Sequence, residues 1–366
     1  MSKARNLASG APAPAGVSTT ELGYVDGVTS AIQTQLNQKP EYAAGKNAII
    51  NGGFDIWQRG TTGVGATGAG TGFVVDRWQG IRSGYAAGLT ISQQSPGSTL
   101  PQFRYCVRVQ RDSGNTSTAG MFFTQQIETS NAILYAGQNI TLSYYARVGA
   151  TFSGSGNGDR QMYWGTGIDQ NGATGSYTGS TQVTLTAVSG PTLSTSWQRY
   201  IYTGTIGSTA TEMYLNLVFN PTGTAGATDY IEYTGVQIEL GSTATVFSRA
   251  GGTIQGELAA CQRYFQKSNN QSEAPGAAPA TTPINAVNVS TTIVAGIPTF
   301  KVSMRASPTV TLYSTSTGTS GKIRSGGADI TATAADVGEN SIGYISATGL
   351  TAGSNSTITY TASAEL

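Results

Sequence analysis

The stretch Asn47–Gly60, NAIINGGFDIWQRG, decides how the rest of the sequence is interpreted. Its apolar run Ala48–Ile50 ends in Asn51–Gly53, a signal for a turn or a backbone bulge. The residues of Phe54–Arg59 alternate in character, which predicts a second extended piece. Far downstream, Tyr230–Leu240 alternates in the same way. Because the first and last strands of a β-sandwich need each other or the opposing sheet to cover their apolar faces, we expect these two regions to meet in one sandwich.

The composition favours a mostly β protein. The 366 residues suffice for two or three domains, and 49 of them are glycine. Only 11% are charged, yet 18 Tyr, 10 Phe and 4 Trp argue against disorder, because disordered chains are poor in aromatic residues. Short runs of Thr, Val, Ile and Tyr between glycines predict short strands joined by tight turns.

Charge and hydropathy argue against two classes of partner. The net charge of +1 disfavours nucleic acid, whose phosphates require clustered Lys and Arg. The sequence has no apolar run long enough for membrane insertion, and its first residues are polar rather than a signal peptide. We therefore expect synthesis in a cytoplasm, with export, if any, as part of a particle.

Four stretches carry a resemblance to a known family. They are NAIINGGFDIWQRGT at Asn47–Thr61, DRW at Asp76–Trp78, TGVQIELGSTATVFSR at Thr234–Arg249 and ELAACQRYFQ at Glu257–Gln266. In order and spacing they resemble a family of phage virion proteins, tail-fibre or spike-like proteins with a jelly-roll domain similar to carbohydrate-binding modules. The resemblance implies a jelly-roll β-sandwich, a place in the virion and contact with sugars.

The N-terminal residues are expected to form an arm followed by a helix. Ala and Pro alternate from Ala11 to Pro14, which excludes a helix and indicates that residues 1–20 form an extended arm. This arm is either a disordered tail or a peptide that threads into other virion proteins. Residues 21–46 are interpreted as a trimerising helix and linker, similar to an element that forms short trimeric bundles in phage fibres. The alternative is a helix docked on its own sandwich. The apolar stripe has a/d spacing at Leu22, Val25, Ile32 and Leu36.

Residues 47–249 are predicted to form a jelly-roll β-sandwich. Its predicted strands are Phe73–Gln79, Leu89–Gln93, Tyr105–Gln110, Gly120–Glu128, Asn139–Val148, Arg160–Ile168, Gln182–Ala187, Gln198–Thr205, Glu212–Phe219 and Tyr230–Leu240.

A linking helix and a smaller β domain are predicted to follow. Residues 250–282 are assigned to a helix and linker, with the helix at Thr253–Gln266 and an apolar face formed by Ile254, Leu258, Cys261 and Phe265; Glu257 lies off that face. Residues 283–366 are assigned to a C-terminal β domain. Its predicted strands are Ala286–Val294, Thr299–Met304, Thr309–Ser314, Asp329–Thr333, Ser341–Ala347 and Thr357–Ala364.

The residue types restrict the chemistry. The chain contains no histidine, which excludes Ser–His and Cys–His catalysis and removes the commonest metal ligand. Its two cysteines, Cys106 and Cys261, cannot make a zinc site, and we expect free buried thiols rather than a disulfide. We predict no metal and no cofactor. Glycoside hydrolysis needs only two carboxylates, so a polysaccharide-degrading spike stays open as an alternative.

Aromatic residues next to polar ones indicate where a sugar would bind, since a sugar ring stacks on an aromatic plane while polar side chains hold its hydroxyls. The candidate glycan contacts are Tyr163, Trp164, Asp159, Arg160 and Tyr85. Adjacent strand residues point to opposite faces, so one of Tyr163 and Trp164 is expected in the core and the other on the surface. Trp57, Trp78 and Trp197 are expected in the core.

The residues alone favour a mostly β, oligomeric, non-catalytic protein. The resemblance further implies a virion structural protein that contacts host surface polysaccharide as a homotrimeric tail fibre or spike. Two alternatives stay open: a purely structural neck or decoration protein, and the polysaccharide-degrading spike.

The intact chain is predicted to be a homotrimer, because a bundle of identical helices would bury the apolar stripe that a lone helix leaves in water. Light scattering on the intact chain and on a variant lacking residues 1–40 measures this, and the truncated variant should have the lower association state. A monomeric intact chain at micromolar concentration would contradict the prediction.

Overall fold

The fold is a two-sheet sandwich followed by a smaller barrel-like unit. The computed structural model describes residues 44–64, 66–67, 72–82, 89–154, 160–170, 178–189 and 192–366. The predicted arm, and the helix with its stripe at Leu22, Val25, Ile32 and Leu36, lie outside the described residues. All the described residues belong to one compact unit.

The sandwich consists of two sheets, named here sheet A and sheet B. Sheet A has the strand order β1 (Thr62–Val64), β5 (Leu89–Gln94), β6 (Cys106–Arg111), β14 (Tyr230–Leu240), β8 (Asn139–Val148), β12 (Gln198–Thr205) and β11 (Thr186–Ser189). Sheet B has the order β10 (Thr181–Gln182), β9 (Arg160–Gly165), β13 (Glu212–Phe219), β7 (Met121–Ile127), β4 (Trp78–Arg82) and β2 (Ala66–Thr67), with β3 (Phe73–Val75) also paired to β4. Every pairing is antiparallel except that of β2 with β4.

Consecutive long strands from β6 to β9 alternate between the two sheets, as they do in a jelly roll. One aromatic-rich core fills the space between the sheets: Trp78 stacks on Phe123 at 4.9 Å, and Tyr144 contacts the rings of Tyr200 and Tyr233. The mostly β prediction is confirmed. The predicted strand Phe73–Gln79 is wrong as a single strand, since the backbone turns between β3 and β4 where Arg77 has a φ of 70°.

The stretch Asn47–Gly60 contains no strand, so the second extended piece predicted for it is wrong. Asn51 and Phe54 have φ angles of 59° and 54°, which an extended chain cannot have. Side chains replace the missing sheet pairing. The Asn47 amide donates to the carbonyls of Val236 and Ser248 at 3.0 and 3.1 Å, and its Oδ1 accepts from Ile238 N–H at 3.0 Å.

The contact between this stretch and β14, expected from the sequence, is present in a different form. Ala48 N–H donates to the Ile238 carbonyl and Val236 N–H donates to the Gly52 carbonyl, both at 2.9 Å. The Asn47 side chain adds its hydrogen bonds to Val236 and Ile238 between these two backbone hydrogen bonds. The stretch therefore packs on β14 through isolated hydrogen bonds rather than a strand ladder.

The C-terminal unit is built around one long strand, β22 (Asn355–Ser363). Its first half pairs with β16 and β19, and its second half with β15 and β18. The other strands are β15 (Phe265–Lys267), β16 (Ile284–Asn288), β17 (Ile293–Ala295), β18 (Thr309–Tyr313), β19 (Lys322–Ser325), β20 (Ala328–Val337) and β21 (Ile342–Ala347). The strand predicted at Thr299–Met304 is wrong: this segment is irregular, although Phe300 and Met304 are buried in the core.

Two short helices complete the described structure, in addition to the 3-10 turns Gly97–Thr99 and Ile133–Tyr135. Helix α1 is Thr129–Ala132, and helix α2 is Ile254–Gln262, where Thr253 Oγ1 caps the start by accepting from Gly256 N–H. The predicted apolar face of α2 is wrong at its start, where Ile254 is 43% exposed and Glu257 is buried, and Phe265 lies beyond the helix in β15.

Glu257 is buried because its carboxylate accepts hydrogen bonds from the backbone N–H groups of Asn51 and Gly251. Burial raises the pKa of Glu257, and these two hydrogen bonds oppose the rise. The chain ends its helix early so that Phe265 can begin β15. Cys106 and Cys261 are both buried free thiols.

A buried polar seam joins the sandwich to the C-terminal unit. Glu365 accepts from Arg59 at 2.8 Å and from Arg77. Glu128 accepts from Arg263 at 2.6 Å and from the Tyr264 hydroxyl at 2.8 Å. In the described part of the chain, no helix has the length and apolar character needed to cross a membrane.

Replacing Asn47 by Ala is expected to lower the free energy of unfolding by about 2–4 kcal/mol, because buried backbone groups of Val236, Ile238 and Ser248 lose their partner. Urea unfolding measures the change. Asn131→Ala is the matched control: its side chain is exposed and the loss should stay within about 0.5 kcal/mol. A loss below about 1 kcal/mol for Asn47→Ala would contradict the assigned role.

Candidate functional site

The outer face of sheet B, which points away from the core, carries amide, hydroxyl and phenol side chains. Along β7, β9 and β13 the alternate residues, such as Phe123, Met162 and Leu215, belong to the core, so their neighbours point outward. The strand registers place the outward residues in two adjacent rows. The amide row is Gln79, Thr124, Asn216 and Gln161, and the tyrosine row is Gln126, Tyr214 and Tyr163.

The tyrosine row contains a stacked pair. The rings of Tyr163 and Tyr214 lie 4.8 Å apart and 6° from parallel. The Tyr163 hydroxyl donates to Gln182 Oε1 at 3.2 Å, across the register that pairs β9 with β10. Burial raises the pKa of Tyr214 to about 12 and also raises the pKa of Tyr163. Both phenols therefore keep their protons at neutral pH.

Three polar side chains on this face are buried with atoms that have no hydrogen-bond partner among the described residues. They are Thr124 Oγ1, Asn216 Oδ1, and both amide atoms of Gln126. Thr124 and Gln126 have no exposed surface and Asn216 is 3% exposed. A buried polar atom without a partner costs about 1–3 kcal/mol, so Thr124 and Asn216 in the amide row and Gln126 in the tyrosine row keep hydrogen-bonding capacity that the described residues do not use. Tyr163 and Gln161, at the β9 end of the face, are partly exposed.

Two open cavities adjoin this face at its β10 edge, and both are lined by Gln182, Val183 and Thr184. The first, of about 540 Å³, also includes Trp164 and several hydroxyl side chains of sheet A. The second, of about 520 Å³, also includes Arg160, Gln161 and Asn220. Gln182 thus lines both cavities and also pairs with Tyr163 of the tyrosine row.

The predicted glycan residues that the structure describes gather at this edge, but on different sides of it. Tyr163 lies on the outer face. Trp164 packs partly against the core, in front of Gly207, where a Cβ would lie 2.2 Å from the indole, and it also lines the first cavity. Arg160 lines the second cavity with its guanidinium 3.8 Å from the centre of the Tyr202 ring. Asp159 and Tyr85 lie outside the described residues.

Sequence reasoning missed the amide side chains. Gln161, Gln182, Asn216, Thr124 and Gln126 reach one surface only through strand register, which a single sequence does not reveal. A partial signal was present. In FFTQQI on β7 and YLNLVF on β13, polar residues interrupt apolar ones, whereas a strand buried on both faces is usually apolar throughout.

Of the three other tryptophans, two occupy the core as predicted: Trp57 is 8% exposed and Trp78 has no exposed surface. Trp197 is only partly buried. Its Nε1–H donates to the Pro96 carbonyl at 3.1 Å, and the Arg147 guanidinium lies 4.9 Å from its ring.

Two carboxylates lie near one another just beyond the tyrosine row, where Glu212 pairs with Gly165, two residues along β13 from Tyr214. Thr129 donates its backbone N–H to Asp169 and its hydroxyl to Glu212, both at 2.8 Å. Glu212 is fully buried and burial raises its pKa, while Asp169 pairs with Arg305 at 3.2 Å. Among the residues that the structure describes, no three acidic or cysteine side chains are grouped closely enough to hold a metal ion.

No family model matches the sequence, and no curated protein matches it. Among solved structures, the chain is similar to the enzymatically active domain of tailspike protein 4 from bacteriophage CBA120, with 12% identity and a TM-score of 0.31 over 53% of this chain and 21% of that one. It is also similar to a CBM4 structure, with 18% identity and a TM-score of 0.31 over 53% of this chain and 99% of that one.

A third similar structure is the xylan-binding CBM22-1 domain from Paenibacillus barcinonensis, with 12% identity and a TM-score of 0.30 over 55% of this chain and 98% of that one. The match therefore spans about a fifth of the tailspike structure and nearly all of the two modules. Likenesses this distant assign the chain to no family.

Alanine substitutions are expected to separate the structural roles of the two neighbouring aromatic residues. Trp164→Ala removes an indole packed on the core and should lower the free energy of unfolding by about 3–5 kcal/mol. Tyr163→Ala removes one member of an outer stacked pair and should lower it by only about 0.5–1.5 kcal/mol. Thermal and urea unfolding measure both, and equal losses would contradict the placement of the two side chains on opposite faces of β9.

Proposed function

We propose that this protein is a phage virion structural protein, a homotrimeric tail fibre or spike, that binds host surface polysaccharide without catalysis. The observation that carries the binding part is the β10 edge of the outer face of sheet B, where the accessible side chains of Gln161 and Gln182 lie beside the stacked Tyr163. The adjoining cavities around Gln182 extend this surface.

The chemistry of a sugar matches this surface. Each sugar hydroxyl both donates and accepts a hydrogen bond, and the accessible amides of Gln161 and Gln182 supply both a donor and an acceptor. The C–H face of a pyranose ring packs on aromatic planes, which Tyr163 and Trp164 supply near the β10 edge. Gln161 and Gln182, which are accessible, are expected to make the first polar contacts.

The virion part of the proposal is supported by sequence. The motifs at Asn47–Thr61, Asp76–Trp78, Thr234–Arg249 and Glu257–Gln266 resemble phage tail-fibre and spike proteins. Residues 1–20 would attach the protein to other virion proteins, and the apolar stripe would form the trimer. The protein would be made in the host cytoplasm and reside in the virion.

The surroundings of Asp169 and Glu212, the two neighbouring carboxylates, favour a non-catalytic role. Hydrolysis of a glycosidic bond needs one carboxyl group that protonates the leaving oxygen and one that acts as nucleophile or base, both in contact with the sugar. Glu212 is fully buried, so it does not contact solvent, and Asp169, which is 30% exposed, pairs with Arg305; the two carboxylates therefore do not present two free carboxyl groups to a sugar.

The binding proposal is tested with accessible residues of the face. Gln161→Ala, Gln182→Ala and Tyr163→Ala should each weaken binding to a responsive polysaccharide on an array of bacterial surface glycans by about tenfold, equivalent to 1.4 kcal/mol. The matched control is Gln138→Ala, an exposed glutamine in the loop before β8, which should bind like the unmodified protein.

The alternatives give different outcomes in the same experiment. Binding that is unchanged in all three variants would overturn the assignment of this face. Binding to no glycan by the unmodified protein would favour a neck or decoration protein. Size-exclusion chromatography of the polysaccharide after incubation tests catalysis, and the appearance of shorter chains would overturn the non-catalytic proposal in favour of a degrading spike.

A further inference from the structure

A row of polar and charged side chains crosses the outer face of sheet A, on the other side of the sandwich from the amide and tyrosine rows. Its members alternate along their strands with core residues such as Val107 and Ile231, so they point away from the core. The strand registers place four of them side by side, and a tryptophan just before β12 ends the row. This set, called the arginine row here, consists of Ser92, Arg108, Glu232, Arg147 and Trp197.

One buried carboxylate holds both arginines of the row. Glu232 has no exposed surface. Its Oε1 accepts from Nε of Arg108 at 2.8 Å and from Nη2 at 2.6 Å, and its Oε2 accepts from Nε of Arg147 at 2.5 Å. Each guanidinium also lies against an aromatic ring, 3.9 Å from the centre of Tyr230 for Arg108 and 4.9 Å from that of Trp197 for Arg147. The carboxylate and the rings therefore fix the orientation of both guanidinium groups.

Both guanidinium groups keep hydrogen-bond donors that nothing in the described structure uses. A guanidinium has five N–H donors. Nη1 of Arg108 and both Nη atoms of Arg147 donate to no described residue. The two side chains are 24% and 28% exposed, so a ligand can approach them from solvent. The row also has two positive charges for one negative charge, which suits it to an anion.

The free donors match the geometry of an oxyanion. The two Nη atoms of one guanidinium form a planar fork that binds two oxygens of a carboxylate or a phosphate. Within the described residues this fork is unoccupied in Arg147, since Glu232 takes only its Nε. Nη1 of Arg108, which is held by the other oxygen of Glu232, adds a further donor.

The surroundings favour a saccharide as the carrier of the oxyanion. Strands about 4.8 Å apart make the row about 19 Å long from β5 to β12, which suits an extended ligand. Trp197 and Tyr230 are partly exposed and offer aromatic surface to the C–H faces of sugar rings, while Ser92 offers a hydroxyl. A peptide would gain less here. Peptides that bind sheets pair with a free strand edge, whereas β14 is paired on both sides.

We propose that the arginine row is a binding site for an acidic polysaccharide, with a carboxylate or phosphate group of the polymer on the free Nη atoms of Arg147 and Arg108. Glu232 is a positioning residue that holds the two guanidinium groups. The site goes beyond the proposed function, because it lies on the other sheet and includes neither Gln161 nor Gln182.

Binding of defined polymers to the full-length chain, measured by titration calorimetry, tests the site. The probes are polygalacturonate, which carries carboxylates, dextran phosphate, which carries phosphates, and unmodified dextran, which is neutral. At least one acidic polymer should bind at least about ten times more tightly than dextran, and its binding should weaken as salt is raised, because partly exposed charges are screened. The acidic polymer that binds more tightly identifies the oxyanion.

Substitutions in the row separate binding from stability. Arg147→Gln and Arg108→Gln should each weaken binding of the acidic polymer by about tenfold, because hydrogen bonds to a charged group are lost. Arg147→Lys keeps a positive charge beside Glu232 but lacks the fork, so it should also weaken binding several-fold while thermal unfolding stays close to that of the unmodified protein. The matched control is Arg104→Gln, an exposed arginine 5.0 Å from the Tyr105 ring and outside the row, which should bind the polymer like the unmodified protein.

Several results would overturn the inference. Binding of neither acidic polymer, or equal binding of dextran, would mean that the row recognises no oxyanion. Unchanged binding in Arg147→Lys and in both Gln variants would mean that the arginines only stabilise the sandwich. Polyglutamate that binds more tightly than both acidic polysaccharides would mean that the partner is an acidic peptide.

The same variants distinguish this site from the sheet B site. Binding of the acidic polymer that is lost in Gln161→Ala and kept in Arg147→Gln would place the polymer on sheet B, which overturns the arginine row and leaves the proposed function standing. The converse result, lost in Arg147→Gln and kept in Gln161→Ala, supports the arginine row whether or not the sheet B variants alter binding on the glycan array.

Discussion

The structure depends on buried asparagine side chains that take the place of strand pairing in the stretch Asn47–Gly60. This stretch lies inside the molecule without a ladder of backbone hydrogen bonds, and buried backbone groups must still be satisfied. Asn47 does this between the stretch and β14, and Asn51 donates to the carbonyls of Ile56 and Asp76 at 2.9 and 3.1 Å. With these partners in place the stretch buries Phe54 in the sandwich core.

The same region determines how the C-terminal unit is attached. Gln58 donates to Asp76 at 2.6 Å and to the Phe265 carbonyl at 2.8 Å, which links the stretch to β15. Separating a buried ion pair would leave an uncompensated charge. The contacts of Glu365 with Arg59 and Arg77 therefore restrict how the C-terminal unit can sit against the sandwich. An apolar interface would tolerate sliding more readily than this directional one.

Sequence patterns predicted the long strands well and the irregular segments badly. Four of the predicted strands, Asn139–Val148, Gln198–Thr205, Glu212–Phe219 and Tyr230–Leu240, have the bounds seen in the structure, because each alternates over eight or more residues between clear turn signals. The failures at Phe54–Arg59 and Thr299–Met304 have one cause. Apolar spacing reports burial, and a buried loop with side-chain partners produces the same spacing as a strand.

The candidate site was predictable only at one edge. Tyr163 and Trp164 stand out in the sequence because aromatic residues lie beside polar ones, and alternation correctly placed them on opposite faces of β9. The amide row was not predictable, since Asn216 and Thr124 are far apart in sequence and meet through the pairing of β13 with β7. Arg160 and its contact with Tyr202 also depend on how the two sheets face each other.

The protein buries polar side chains with very different numbers of hydrogen bonds. Arg111, which has no exposed surface, directs its Nη atoms to Asp229, Ser153 and three backbone carbonyls. Thr124 and Gln126 are equally buried, yet their side-chain polar atoms have no partner in the described structure. Arg111 is not fully satisfied either, since its Nε is also buried without a partner. The difference is one of degree: five hydrogen bonds hold the Nη atoms of Arg111, and none holds the side-chain polar atoms of Thr124 and Gln126.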